Sequence, residues 1–500
     1  MAEAVVEERH LIKSLRWWDG FAIAMCNPGF LFGALGFTLG VFGVLGSVIM
    51  WGVSAIIGMV LTWIYIEPAM MFPNKSGGIS LYANEAWRKY TTFVGPIATF
   101  GYWIGWSVVL AIFGKVIGDL VVARWFPTAT WTVNDGVVHL GLAHFIAIGV
   151  IIGVWAFNIF GIRPMKGLVY ITAGLLMLAL VVFMFVPYLT GDFHSSNVHA
   201  TFTGPWGGTK LVFVYLFILG WSSWACEVCA TFAPEYKTER DTHIAMRSSA
   251  LFVVGAFILL PLGIGGVSGI PPAATQEGQF YTTVFQTVAG HTLGTIFLIC
   301  LIASLVLSMA SSTADGSRAL YGISKAGLTI KQLGVLNRYH VPGNAMTVDL
   351  VVNVALVLFI SSNLAILYMS NIGYILCHLF AVSGFLLLRK DRPNWPRPFK
   401  LPAIWVPIAW FMTVLVAFLL VVGAGAPHLL STFYGALGWN HFAIGVGVLI
   451  GSVLLFIFRR VVQDGESVHF REETPTMPAE GDWPEGFEAP APVPAAPVAG

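Results

Sequence analysis

About twelve stretches of this 500-residue chain are each long and apolar enough to cross a bilayer, and nothing else in the sequence narrows its fold so far. A helix rises about 1.5 Å per residue, so roughly 20 apolar residues span the hydrocarbon. Such stretches lie near 17–39, 43–67, 95–121, 140–160, 167–189, 211–233, 248–268, 291–313, 345–361, 364–388, 403–424 and 440–458. Lipid offers the backbone no hydrogen-bond partners, so runs of this length must close their bonds internally as helices. Only 10% of residues are charged, against about a quarter in soluble domains. The expected fold class is an all-α integral membrane protein with about 12 transmembrane helices. A net charge of +1 implies no nucleic-acid partner, and no protein partner is evident. The first dozen residues are polar and acidic, so no cleavable signal peptide is expected.

Basic residues give the orientation. With the N-terminus inside and twelve alternating spans, only Lys115, Arg124 and Lys210 fall outside, which leaves 23 of the 26 Lys and Arg on the inner side. Both termini are therefore expected in the cytoplasm, with the chain in the plasma or inner membrane. The expected organisation is a cytoplasmic N-terminus over 1–16, a transmembrane domain over 17–461 and a cytoplasmic tail over 462–500. The tail is rich in Pro, Ala and Glu, has little to bury and reads as disordered.

One span carries polar groups where a membrane helix should have none. Leu211–Leu219 is apolar, Gly220-Trp221-Ser222-Ser223 interrupts it, and Glu227 follows at membrane depth before the water-facing Glu235–Asp241. An intramembrane charge is costly and normally faces a bundle interior or an aqueous path. Asn27-Pro28-Gly29 interrupts the first span in the same way. Spans one to five (about 17–189) and six to ten (about 211–388) are of similar length, and each half opens on an interrupted helix. That spacing points to an inverted repeat with its site at the midplane, followed by extra helices over about 403–458.

Several short motifs in order resemble the amino acid–polyamine–organocation permeases. They are Glu67-(x4)-Phe72-Pro73-(x3)-Gly77-Gly78-(x3)-Tyr82, Asn158-Ile-Phe-Gly161-Ile-Arg163, Glu235-Tyr-Lys237-Thr-Glu239-Arg240-Asp241, Ser317-Arg318-Ala-Leu320-Tyr321 with Gly327 and Val341-Pro342, and Arg397-Pro398-Phe399-Lys400-Leu-Pro402. The resemblance spans roughly the first 400 residues. It implies a leucine-transporter-like 5+5 inverted repeat plus two helices, and transport of amino acids or related amines. Trp221, then Glu227, then Lys237 is similar to the spacing in the amino acid/amine antiporters, where the Trp closes over substrate and the Glu is linked to protons. The sequence departs from the family at helix 1, where Asn27-Pro28-Gly29 stands for Gly-Ser-Gly, and at helix 5, where the position nearest a lysine carried by many cation-independent members is about Gly174.

The candidate substrate-binding residues are Asn27, Pro28, Gly29, Phe30, Gly220, Trp221, Ser222 and Ser223, through backbone N–H groups that attract a carboxylate. Glu227 is either a proton carrier, because burial disfavours its charged form, or a structural hydrogen-bonding group. Ser311 and Ser312 could hold sodium, or could bond their own backbone. Lys115 and Asp119, at i and i+4, read as a local ion pair. Cys226 and Cys229 read as packing rather than metal or redox groups, and His378 as a helix contact. No cofactor and no metal are expected. Without HExxH, GxSxG with partners, or paired intramembrane aspartates, an enzyme is not expected. The reading is a secondary active transporter of amino acids or amines, working by alternating access and proton-linked, with substrate, protons and the lipid bilayer as partners. Its alternatives are an exchanger without net proton coupling and a sodium-coupled symporter.

Overall fold

A computed structural model describes residues 11, 13–32, 34–134, 138–202, 208–269, 277–360, 362–429 and 438–475. Sixteen α-helices are described: α1 (Trp17–Ala24), α2 (Cys26–Leu31), α3 (Leu35–Met71), α4 (Gly78–Trp87), α5 (Val94–Ser107), α6 (Val109–Trp125), α7 (Leu142–Ile159), α8 (Ile162–Thr190), α9 (Thr209–Ser223), α10 (Val228–Thr231), α11 (Glu239–Ser268), α12 (Glu277–Lys325), α13 (Gly343–Phe359), α14 (Asn363–Asp391), α15 (Trp405–Ala424) and α16 (Trp439–Phe458). Among the described residues, ten helices or helix pairs are long and apolar enough to cross a membrane, and Gly343–Phe359 is a shorter apolar helix. The first expected span is delivered as two short helices, α1 and α2. A small antiparallel hairpin, β1 (Thr132–Asn134) with β2 (His139–Gly141), joins α6 to α7; the sequence reading had no strand there.

Two of the long helices overrun their expected spans. α3 and α12 each absorb a glycine kink, at Gly43 (φ 68°) and Gly290 (φ 71°). α12 also continues past the expected end at 313 as far as Lys325, which matters below. The buried faces of most helices join in one large apolar cluster, and Ile323, Leu328 and Phe456 form a small second one, with α3 along α11, α5 along α14 and α8 along α12. The opposite faces expose Ile171, Leu251, Phe411, Val414 and Val421, an arrangement that lipid tolerates and water does not. Exposed Trp17, Trp18, Trp125, Trp131 and Trp439 lie at or near helix ends, where amphipathic rings meet the headgroups.

The end of the bundle that carries the basic loops is tied by carboxylates, each with its cation. Glu67 accepts from Arg389 at 2.5 and 3.0 Å, from Arg397 at 3.0 Å and from the Leu401 N–H at 2.9 Å. Glu85 pairs with Lys75 at 2.5 Å and Arg392 at 3.0 Å. Glu235 pairs with Arg318, and both are 1% exposed. The motif residues thus clamp distant segments: α3 to the 389–401 corner, and the 233–235 turn to α12. Gly78 (φ 54°) lets the loop after α3 lie directly on Thr231 of α10.

Within the expected disordered tail, residues 465–473 lie against the body. Thr92 N–H donates to Phe470 O at 3.0 Å, Glu472 N–H donates to Arg88 O at 3.0 Å, and Glu472 pairs with Arg88 and Arg460. The expectation for 476–500, like that for Met1–His10, falls outside the described residues.

Candidate functional site

Both expected interruptions exist, each displaced by about one turn. Asn27, Pro28, Gly29 and Phe30 lie within α2, and the chain breaks before them at Met25 and after them at Phe32 and Ala34. Pro28 sits in the first turn of α2, where its missing N–H removes a donor that has no intrahelical partner anyway. Likewise Gly220, Trp221, Ser222 and Ser223 are helical and end α9, and the break is Trp224 followed by a 3-10 turn over Ala225–Glu227. Gly58 of α3 makes the second break possible: a Cβ there would lie 2.5 Å from Ser223 O and 2.9 Å from Trp224 Cα. Trp224 Nε1 donates to Ser54 O at 3.1 Å, and Ser223 Oγ meets Ser54 Oγ at 2.6 Å.

The two interruptions hold each other. Ser222 Oγ donates to Phe30 O at 3.2 Å. With its amide assigned from the surrounding network, Asn27 donates to Ser222 O and accepts from the Cys226 N–H at 3.1 Å. The Phe30 ring stacks on Trp221 at 5.2 Å and meets Trp106 and Phe113, each at 5.5 Å. Such ring pairs contribute about 0.5–1.5 kcal/mol beyond area burial. Trp221 Nε1 is fixed on Gly105 O at 2.7 Å. The eight expected binding residues are all buried, so the chain is seen with α2 and the end of α9 closed on one another.

Glu227 lies in the second break and is fully buried. Oε1 accepts from the Tyr374 hydroxyl at 2.6 Å and from Trp106 Nε1 at 3.3 Å, and His378 Nε2 lies 3.9 Å away. Oε2 completes no hydrogen bond. His378 therefore belongs to this cluster, held by Tyr65 at 2.9 Å and against Trp224; the sequence reading placed it as a helix contact only.

Sequence reading also missed two aspartates. It found no paired intramembrane aspartates, yet Asp315 of α12 and Asp349 of α13 are both fully buried. Trp103 Nε1 donates to Asp349 Oδ1 at 2.6 Å, while Asp349 Oδ2 and both oxygens of Asp315 complete no hydrogen bond. A Cβ on Gly316, beside Asp315, would lie 3.7 Å from Asp349 Oδ2. Asp315 lies two residues beyond an expected span end at 313 and Asp349 four residues after an expected span start at 345, so neither position marks an intramembrane carboxyl in the sequence. The extension of α12 is the signal that separates them from loop residues.

The candidate sodium residues occupy themselves. Ser312 Oγ donates to Ser308 O at 2.7 Å, and Ser311 Oγ to Ile23 O of α1 at 3.4 Å. Lys115 Nζ donates to Ile360 O at 3.1 Å at the end of α13, and Gly174 faces outward on α8 with nothing within 4 Å of a Cβ.

A broken helix pair with a buried carboxyl at the break is an arrangement suited to binding a small zwitterion or amine and moving a proton. Comparison with known proteins bears on the same reading. Residues 15–450 match the amino acid permease family model. The uncharacterized amino acid permease YvbW of Bacillus subtilis (strain 168) is 27% identical over 64% of this chain and 71% of its own length. The D-serine/D-alanine/glycine transporter of Escherichia coli (strain K12) is 24% identical over 72% of this chain and 80% of its own. With its motifs, its many apolar helices and a match over most of its length, the chain belongs to the amino acid permease family, within the amino acid–polyamine–organocation transporters.

Proposed function

We propose that this protein moves amino acids or related amines across the plasma or inner membrane by alternating access, and that Glu227 couples the movement to protons. In this reading the chain has twelve spans in two inverted repeats, the basic-loop end faces the cytoplasm with both termini, and the breaks around α2 and α9–α10 form the substrate site. The single observation that carries it is Glu227: fully buried on a helix break, with one oxygen bonded to Tyr374 and Trp106 and the other without a partner. A carboxyl so placed can give up and regain a proton as water reaches it from one side. The relatives named for D-serine, D-alanine and glycine support a small zwitterion as substrate. Its carboxylate would take the N–H groups freed when α2 and α9 separate, and Trp221 and Phe30 would cover it.

The test is uptake into proteoliposomes. Glu227→Gln keeps the shape but cannot release a proton. It is expected to retain counterflow exchange and to lose stimulation by an imposed pH gradient. A variant with wild-type affinity and an unchanged response to the gradient would leave Glu227 a structural residue. Sodium-driven uptake that survives Glu227→Gln and is lost in Ser311→Ala would favour the symporter alternative, because Ser311 brings a hydroxyl to the Ile23 carbonyl.

A further inference from the structure

We propose that Asp315 is a second proton-binding site and that Arg318 controls its charge, pairing with Glu235 while the basic-loop end is closed and with Asp315 once it opens. The proposal deepens the proton-linked reading above and rests on it for its bearing on transport.

The surroundings of Asp315 are the first support. It is 0% exposed, and the hydroxyls of Thr231 and Tyr102 lie near its carboxyl without completing a well-formed hydrogen bond to either oxygen. The titratable groups facing it are Tyr102 of α5, Cys26 of α2, Asp349 of α13, Glu227 of the break, Tyr374 and Cys377 of α14, and Arg318 of its own helix. Thr231 of α10 adds a hydroxyl, bonded to Tyr102 at 3.2 Å. Arg318 alone in this set is cationic, and it is committed to Glu235 through two hydrogen bonds. Two ionised carboxyls buried together without a cation are a costly arrangement, and a proton on Asp315 removes that cost.

The position of Arg318 is the second support. It lies three residues after Asp315 on α12, on the same helix face. Its guanidinium is buried, donates to Ala314 O at 2.8 Å and lies 4.7 Å over the Phe232 ring. Beyond it opens a cavity of about 530 Å³ whose lining includes Lys75, Ser76, Pro234, Tyr321, Gly322 and Lys325. Ser76 Oγ donates to Arg318 O at 3.2 Å, and Pro234 precedes Glu235. The Arg318–Glu235 pair thus adjoins the segments that line this cavity, and Asp315 lies one helical turn away on α12. Parting a buried ion pair leaves a charge that must be satisfied again, and the carboxyl one turn back on α12 can do so.

The proton balance is simple. On opening, the Asp315 O–H bond breaks and its proton passes to water in the cavity. The carboxylate takes Arg318, and Glu235 remains a carboxylate facing water. On closing, Asp315 takes one proton from water and Arg318 returns to Glu235. Each cycle of this gate therefore releases one proton to water and takes one back, so the gate itself is proton-neutral over the cycle.

Infrared spectroscopy of the purified full chain reads this directly, because a protonated carboxyl has a C=O band that an ionised one lacks and that shifts in deuterium oxide. Wild type at neutral pH should show a component that Asp315→Asn removes and Glu227→Gln leaves in place. Glu235→Gln frees Arg318, so the same component should vanish without any change at Asp315. Arg318→Gln should act in reverse, holding the component at alkaline pH where wild type loses it; this arm serves if Glu235→Gln does not fold. The proposal is overturned if Asp315→Asn leaves the spectrum unchanged, if the component survives Glu235→Gln, if Arg318→Gln does not extend it, or if sodium chloride rather than alkali removes it from wild type. If the band behaves as expected while an imposed proton gradient moves no substrate, the proton-linked reading fails and the Arg318 exchange stands.

Discussion

The basic-loop end and the middle of the bundle use the same side chains to opposite effect. At the end, Glu67 is shared by Arg389 and Arg397, and Glu85 by Lys75 and Arg392. In the middle, Glu227, Asp315 and Asp349 have only neutral donors or none. Paired carboxylates fix geometry and are costly to break. Unpaired ones contribute little to holding the bundle and are free to change protonation as water arrives. The contrast separates the parts of this permease built to stay still from the part suited to cycling.

The largest expected effect comes from making one change in both regions. Glu67→Gln leaves Arg389 and Arg397 without a counter-charge, and Arg397 is only 4% exposed. Breaking a buried pair from one side costs about 3–5 kcal/mol. Glu227→Gln removes no ion pair and should change stability by less than about 1 kcal/mol. Thermal unfolding in detergent reads both, and equal losses would erase the distinction between the regions.

Acid should act on the paired end. Burial alone would push the Glu85 carboxyl up, but Lys75 and then Arg392 and Arg88 outweigh it and hold Glu85 below its ordinary value. A carboxyl held low in the folded chain adds stability above its unfolded pKa of about 4.3, and that contribution fades as pH falls through the folded value. Glu85→Gln should therefore cost about 2 kcal/mol at pH 7 and converge with wild type under acid. A difference that persists unchanged under acid would remove the charge from the explanation.

These regions were not equally legible in the sequence. The many apolar helices and the buried carboxyl of Glu227 were legible from apolar length and from a carboxyl in an apolar run. Of the anchors, Glu67, Glu235, Arg318 and Arg397 stood in family motifs without any sign of which pairs with which, and Glu85, Lys75, Arg389 and Arg392 carried no such signal. Asp315 and Asp349 were hidden, because a carboxyl within two turns of a span end looks the same whether it meets water or a neighbouring helix. Only the continuation of α12 to Lys325, under cover of α5 and α13, decides that. The second break was placed one turn early for a related reason. Gly220 and Ser222–Ser223 mark a weak helix in sequence, but the chain parts where α3 offers Gly58 and the Ser54 carbonyl to receive Trp224.

The break itself gives a smaller effect. Trp221→Phe keeps a ring on Phe30 and deletes the hydrogen bond to Gly105 O. A net loss of about 1 kcal/mol is expected, seen as a shift in thermal unfolding and a several-fold change in apparent substrate affinity. A change in affinity without any change in stability would mean that the indole N–H acts on substrate rather than on α5.

The smallest effect tests whether the tail belongs to the fixed end. Residues 465–473 lie on the α4–α5 connection through two backbone bonds, the Phe470–Phe93 contact at 5.5 Å and the Glu472 pairs with Arg88 and Arg460. Arg88, Arg460 and Glu472 are 20–26% exposed, so water screens these pairs, and each contributes about 0–1 kcal/mol. A chain stopped after Asp464 should therefore unfold slightly earlier than one stopped after Pro475, by about 1 kcal/mol in all. Transport per folded molecule should be the same for both, since among the described residues the segment bonds to the α4–α5 connection and to Arg460 after α16, away from the breaks. If the shorter chain transports faster at equal surface amount, the segment restrains opening of this end through Arg88, and the fixed region includes the tail. If it loses its fold, the ion pairs there are doing more than exposed pairs do, and the division between a paired rigid end and an unpaired mobile centre has to be drawn further along the chain.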